Sequence, residues 1–287
     1  MTVYTLPLGF LATGLGMRID GIIGNDIIGK LIAEIDYGSN RVLLYPPGSF
    51  APLKGSVTIP LEMTGNLPFI SVPLDAGNGK TITARMEIDT GSTGAVLFNG
   101  PFVRKQNLVA AVGQTMGSRT GGVGGSGTSL VGRIKSLTLG TSIIAEPLAT
   151  LYTGSKGDNA SERYDGLLGG AIFGRFRIVV DMPGRKFSIL PDLRFDEPFE
   201  TDMSGLDLVA DGPNLDKILV DEVKAGSVAA RAGVRGGETI RSINGRPADE
   251  IGLQEVRRML REEREIDLEL ARGRRVFTVH LVLKRVI

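Results

Sequence analysis

The sequence contains no cysteine and a single histidine, His280. Without cysteine there can be no disulfide, no thiol nucleophile and no thiolate metal site. With one imidazole a histidine-rich zinc centre cannot be assembled, and a Ser-His-Asp triad would have to use His280. Long apolar runs are also lacking. The longest, Leu6 to Gly16, is too short to span a bilayer and carries three glycines. It is a poor secretion signal too, because no Lys or Arg precedes it. Neither sign of charge dominates: 33 Lys and Arg stand against 32 Asp and Glu, so bulk electrostatics point neither to nucleic acid nor to an acidic partner. Missing cysteines leave the compartment open. Hydrolytic chemistry, if present, has carboxylates, lysine or an oxygen-held metal to draw on; the expectation is no cofactor and no metal.

Glycine, by contrast, is plentiful, at 40 of 287 residues, about twice the average share. Such a chain turns often and forms few long helices, which predicts a mainly β fold. An apolar content of 42% supports ordinary cores, and the length predicts two domains, with three small ones possible.

Two segments match without a gap at one constant offset. Asp20-Gly21-Ile22-Ile23-Gly24 recurs as Asp165-Gly166-Leu167-Leu168-Gly169; Gly29 then corresponds to Gly174, Asp36 to Asp181 and Pro46 to Pro191. The repeat predicts two related lobes. The second copy ends a unit that starts near residue 56, whereas the first starts almost at Met1, so residues 1–50 read as the C-terminal part of a first lobe. The other reading is two strands and a helix attached to one domain. Within 55–192, residues 69–74 and 81–86 flank Ala76-Gly77-Asn78-Gly79, a hairpin signal. Pro101 to Leu108 is the best helix candidate. Residues 191–202, with Pro191, Pro198 and several acids, read as a linker. Beyond it, 217–220, 239–243 and 276–282 read as strands, Asn244-Gly245 as a turn, and Gln254 to Arg264 as a helix with one apolar face.

The chemically pointed motif is Asp89-Thr90-Gly91-Ser92, at the end of an alternating apolar strand. Carboxylate-driven peptide hydrolysis needs an aspartate held rigidly beside a second one, the two sharing a proton because like charges about 3 Å apart cannot both ionise. A tight loop supplies the holding donors: Thr90 and Ser92 offer hydroxyls, and Gly91 permits close approach. An Asp capping an ordinary strand-to-turn junction is the alternative.

Residues 56–192 resemble a lobe of the retropepsin-like and pepsin-like aspartic proteases. Asp89, Thr90 and Gly91 match the family's catalytic loop. Leu167-Leu168-Gly169 matches the apolar-apolar-Gly segment that supports it. Gly121, Gly122, Gly124 and Gly125 fall where the flap belongs, without the tyrosine usual in pepsin-like flaps. Ile22-Ile23-Gly24 matches the supporting segment of the other lobe, whose own Asp-Thr-Gly is not in this sequence. The resemblance implies an acid-protease-type β lobe (55–192) preceded by a partial second lobe (1–50), a dyad completed by a homodimer or a missing N-terminal lobe, polypeptide substrates, and an exported or periplasmic setting.

Residues 200–287 resemble an α+β PDZ domain. The carriers are Ala225-Gly226-Ser227 through Gly233-Val234, then Gly237-Glu238-Thr239-Ile240 and Ile243-Asn244-Gly245, with Gly-Glu where Gly-Asp is usual. The resemblance places a carboxylate-binding loop at Ser204, Gly205 and Leu206, and an apolar groove wall at Val256 and Leu260. It implies protein C-termini as partners, bound as an added strand. Packing alone is the other use such a domain could have. No nucleic acid and no integral membrane segment are expected. For the chain as a whole, two readings stand: an aspartic endopeptidase, or an inactive peptide-binding scaffold.

Overall fold

The computed structural model describes residues 7–122 and 125–287. The chain is mainly β and divides into two compact units. One includes residues up to Ile22 and resumes from Glu200 to Val286; the other runs from Ile23 to Phe199. Among the described residues no helix is long and apolar enough to cross a membrane. Helix α1 (Gly9–Leu15) belongs to the first unit.

The second unit opens on the first copy of the repeat: α2 (Asn25–Ile28), β1 (Ile32–Asp36) and β2 (Arg41–Tyr45). It continues through β3 (Val57–Pro60), β4 (Glu62–Thr64), β5 (Leu67–Asp75), β6 (Thr81–Ile88) and β7 (Val96–Phe98). β5 and β6 form the expected hairpin. Asp75 Oδ1 accepts the Gly77 and Gly79 N–H groups, and both glycines have positive φ, 124° and 75°, so the turn needs them. The helix expected over 101–108 is instead two short ones, α3 (Gly100–Lys105) and α4 (Leu108–Val112). Asn107, at φ 50°, breaks the run.

A glycine-rich hairpin follows, β8 (Thr115–Gly122) with β9 (Gly125–Arg133). Gly121, Gly122 and Gly125 lie in it; Gly124 lies outside the described residues. Then come β10 (Ser136–Leu139), β11 (Ser142–Ala145), β12 (Leu148–Tyr152) and β13 (Gly166–Leu168). The second copy of the repeat closes the unit with α5 (Gly170–Phe173), β14 (Phe176–Asp181) and β15 (Lys186–Pro191).

Two sheets result. The larger has the order β11-β10-β5-β6-β13-β7-β12-β9-β8, over a core that includes Met86, Phe98, Ile134, Leu151 and Leu168. The smaller, β2-β1-β14-β15-β3, joins the two copies of the repeat. Its central pair is antiparallel about a local two-fold. Glu34 faces Val179, its own counterpart, while Ile32 faces Asp181, the counterpart of Asp36. The copies also agree locally: Asp36 Oδ1 accepts the Ser39 N–H as Asp181 Oδ1 accepts the Gly184 N–H. Asn40 and Arg185 share φ near 50° (53° and 52°). They differ at the centre, where Glu34, buried to 1% exposure, holds the Arg177 guanidinium and accepts the Tyr45 hydroxyl at 2.7 Å.

The stretch expected to be a linker is fastened down as far as Phe199. The Arg175 guanidinium donates to the carbonyls of Arg194, Phe195, Glu197 and Pro198 and lies 3.5 Å from the Phe199 ring centroid. Its buried position explains this, since a guanidinium out of water needs acceptors for its donors.

The first unit's remaining elements are β16 (Leu206–Asp211), β17 (Lys217–Val223), α6 (Val228–Arg231), β18 (Thr239–Ile243), β19 (Arg246–Pro247), α7 (Ala248–Ile251), α8 (Leu253–Met259), β20 (Arg264–Arg272) and β21 (Arg275–Leu283). The sheet order is β16-β17-β18-β20-β21, which leaves β16 as an end strand. α8 stops earlier than the apolar pattern suggested. The Leu260 carbonyl turns to accept the Met203 N–H, and Arg264 already starts β20. Asn244 and Gly245, with φ 50° and 77°, make the expected turn. His280 sits exposed on β21, Nδ1 at 2.8 Å from Asp267 Oδ1, with Val279 and Leu281 buried on the other face.

Candidate functional site

Asp89 follows directly on β6. Its surroundings are built by β13, which runs parallel to β6 (Leu168 beside Ile88) and antiparallel to β7 (Leu168 beside Val96). A strand inserted between the two arms of a loop holds that loop from below, and the hydrogen bonds are specific. The Asp89 N–H donates to the Leu168 carbonyl at 3.0 Å, Gly169 N–H to Ala95 O at 2.9 Å, Gly170 N–H to Ser92 O at 2.7 Å, and Ala171 N–H to Gly94 O at 3.1 Å. Leu167, Leu168 and Gly169 thus lie directly against the turn carrying Asp89. Gly169 is there for lack of a side chain: a Cβ would come within 2.4 Å of Gly94 O and 2.9 Å of Ser92 Oγ. Gly166 is tighter still, with Leu97 O 2.0 Å from a Cβ.

The Asp89 carboxylate is half-buried and accepts the Gly91 N–H at Oδ1, 2.9 Å. Ser92 donates its backbone N–H to the Asp89 carbonyl at 3.2 Å. The turn is therefore held mainly by backbone, where the sequence suggested hydroxyls; Thr90 is exposed.

One acidic neighbour of Asp89 escaped the sequence reading. Glu87 shares Asp89's face of β6, two residues back, and its register neighbours are Phe69 and Leu167. Burial among such groups, with the charges of Asp89 and Asp158 nearby, pushes its carboxyl up to about 7. Burial, and then Glu87 itself, raises the Tyr164 phenol as well. The strand's period of two was the available signal.

A raised carboxyl makes stability pH-dependent. Below the ordinary value of 4.5 Glu87 is neutral in both folded and unfolded chains, and its burial costs little. Between 4.5 and about 7 the unfolded chain gives up the proton that the folded chain keeps, so stability falls across that window, and the loss is complete above it. Glu87→Gln is therefore expected to raise stability at pH 8 by about 1–2 kcal/mol, after allowance for solvent screening of a half-open group, with no gain at pH 4. Urea unfolding at the two pH values measures the difference.

In the other unit Asp202 dominates the loop that leads into β16. Its Oδ1 accepts the Gly205 N–H at 2.5 Å and the Leu206 N–H at 3.3 Å, and the fully buried Ser204 donates its hydroxyl to the same carboxylate at 2.9 Å. Burial raises the Asp202 carboxyl against the lowering effect of these bonds. Val256 and Leu260, expected to contribute the apolar wall of the groove, are at 0% exposure and within the domain core. Leu253, Gln254 and Arg257 present the side of α8 nearer β16 and α1, and Arg257 Nη2 reaches the Leu208 carbonyl at 2.6 Å.

The C-terminal unit is a PDZ domain: residues 219–272 match that family. No curated protein matches the chain. Among solved structures, the chain is similar to a photosystem II D1 C-terminal processing protease, at 20% identity over 39% of this chain and 29% of that one, TM-score 0.29. It thus spans under a third of that protein. A retropepsin-like aspartic protease from Rickettsia conorii is similar at 14% identity over 47% of this chain and 89% of that one, TM-score 0.33. The HtrA-type protease AlgW with decapeptide is similar at 11% identity over 85% and 84%, TM-score 0.31. All three scores are low, and the functional reading rests on this chain's own residues.

Proposed function

We propose that this chain is an aspartic-type endopeptidase subunit joined to a peptide-docking PDZ domain. The observation that carries the reading is the Asp89 turn. A carboxylate there receives a backbone N–H from Gly91, while an inserted strand fixes the turn through Leu168 and Gly169. Asp89 would act as one half of a proton-sharing pair that activates water on a peptide carbonyl.

The second half would come from another Asp-bearing lobe, because the sequence holds one Asp-Thr-Gly. The repeat supports a place for it. Leu168 is fully buried beside its Asp turn, while Ile22 and Ile23 are 59% and 67% exposed. Phe187 and Ile189 are buried, while Val42 and Leu44 are 60% and 48% exposed. The first copy therefore presents apolar side chains like those that the second copy covers. A second copy of this chain or an upstream lobe would cover them and bring its carboxylate opposite Asp89. The glycine-rich hairpin β8–β9 would close over an extended substrate, and the PDZ domain would dock protein C-termini as a strand added to β16.

The competing reading, a peptide-binding scaffold without turnover, draws on the single Asp turn. Digestion of an unfolded protein between pH 3 and 8, by the dimer or the two-lobed form, separates the two. Cleavage that Asp89→Asn removes supports the peptidase; binding of C-terminal peptides without cleavage supports the scaffold.

A further inference from the structure

The end strand β16 and helix α8 frame the groove in which the docking reading places a peptide. In this structure helix α1 packs against β16, and α8 holds its C-terminal end. Gln254 Nε2 donates to the Leu15 carbonyl and Arg257 Nη1 to the Gly14 carbonyl, both at 2.7 Å. These are carbonyls that a helix end leaves without internal partners, so the groove helix supplies α1 with its C-terminal cap. The same Arg257 bonds the Leu208 carbonyl of β16, so one guanidinium joins α1, α8 and the end strand. Gly16 closes α1 in the left-handed region, φ 66°, and lies so near α8 that a Cβ would stand 2.8 Å from Leu253 Cβ.

The contact is one that can be released. α1 spans seven residues with none fully buried, and Phe10 is 52% exposed. A helix this short has little stability of its own. At the loop end of the groove the Gly205 and Leu206 N–H groups are already engaged by Asp202. Both the strand edge and the loop thus carry occupants from this chain.

We propose that residues 9–16 are a built-in occupant of the β16–α8 groove and compete with an incoming peptide C-terminus. The inference rests on the docking reading above. A peptide adding to β16 must first displace α1, and its apparent affinity is reduced by the fraction of molecules in which the groove is free.

The test uses the full chain and two variants altered only in the occupant. Ala12→Pro removes the N–H that donates to Leu8 O at 3.1 Å. Gly16→Val forces a branched side chain into positive φ against Leu253. Hydrogen exchange of residues 9–16 reports the occupant, and fluorescence anisotropy with labelled decapeptides ending in a free apolar C-terminus reports the groove. The expected result is measurable protection of the Gly16 amide in the wild type, its loss in both variants, and binding about tenfold tighter or more in the variants. Absent protection in the wild type, or lost protection with unchanged measurable affinity, overturns the proposal. Lost protection with no binding by any form overturns it as well, and shows that the docking reading itself has failed, because the groove is then free and still takes nothing.

Discussion

Replacing Asp89 by Asn is expected to lower peptide turnover by at least about a thousandfold, because an amide can neither share nor transfer the proton that water activation requires. Folding should survive. Asp89 is half-buried, and among the described residues its carboxylate receives one hydrogen bond, from the Gly91 N–H, which an asparagine Oδ1 can equally accept. Circular dichroism and melting should therefore match the wild type while the rate collapses. The binding of C-terminal peptides should be unchanged, since Asp89 and the PDZ domain lie in separate units. A turnover that Asp89→Asn leaves within tenfold of wild type would remove Asp89 from the mechanism.

The second large effect concerns Gly169 and its repeat counterpart Gly24. Gly169→Ala puts a methyl group within 2.4 Å of Gly94 O and 2.9 Å of Ser92 Oγ. The turn that carries Asp89 must move, at an expected cost of about 2–3 kcal/mol in stability. A shift near 1 Å at the carboxylate should lower turnover by about a hundredfold besides. Among the described residues, the close atom to a Cβ added at Gly24 is Asp26 Oδ1, at 3.1 Å. In a lone chain Gly24→Ala should stay within about 0.5 kcal/mol of wild type. Once a second Asp-bearing turn lies over Ile22-Ile23-Gly24, as the Asp89 turn lies over Leu167-Leu168-Gly169, the same methyl should hinder it. Urea midpoints of the isolated chain, set beside turnover by the assembled form, give both numbers. Equal activity of Gly24→Ala and wild type in an assembly that cleaves peptides would show that the second carboxylate is not seated on the first repeat.

The amino-acid sequence by itself determined the local devices, because these depend on neighbours in the chain. The Asp75 turn with Gly77 and Gly79, the Asn244-Gly245 turn, and the apolar strand leading into Asp89 are all set by backbone preference and a period of two. The repeat was legible for a related reason: like sequences fold alike, down to the matched positive φ of Asn40 and Arg185. Only the tertiary structure decided which groups meet across long separations. It put Glu87 between Phe69 and Leu167, gave the Arg175 donors the carbonyls of a supposed linker, and laid α1 against β16 and α8. No periodicity encodes such meetings. They follow from burial: a polar group taken out of water must find whatever partner the packed chain brings within reach.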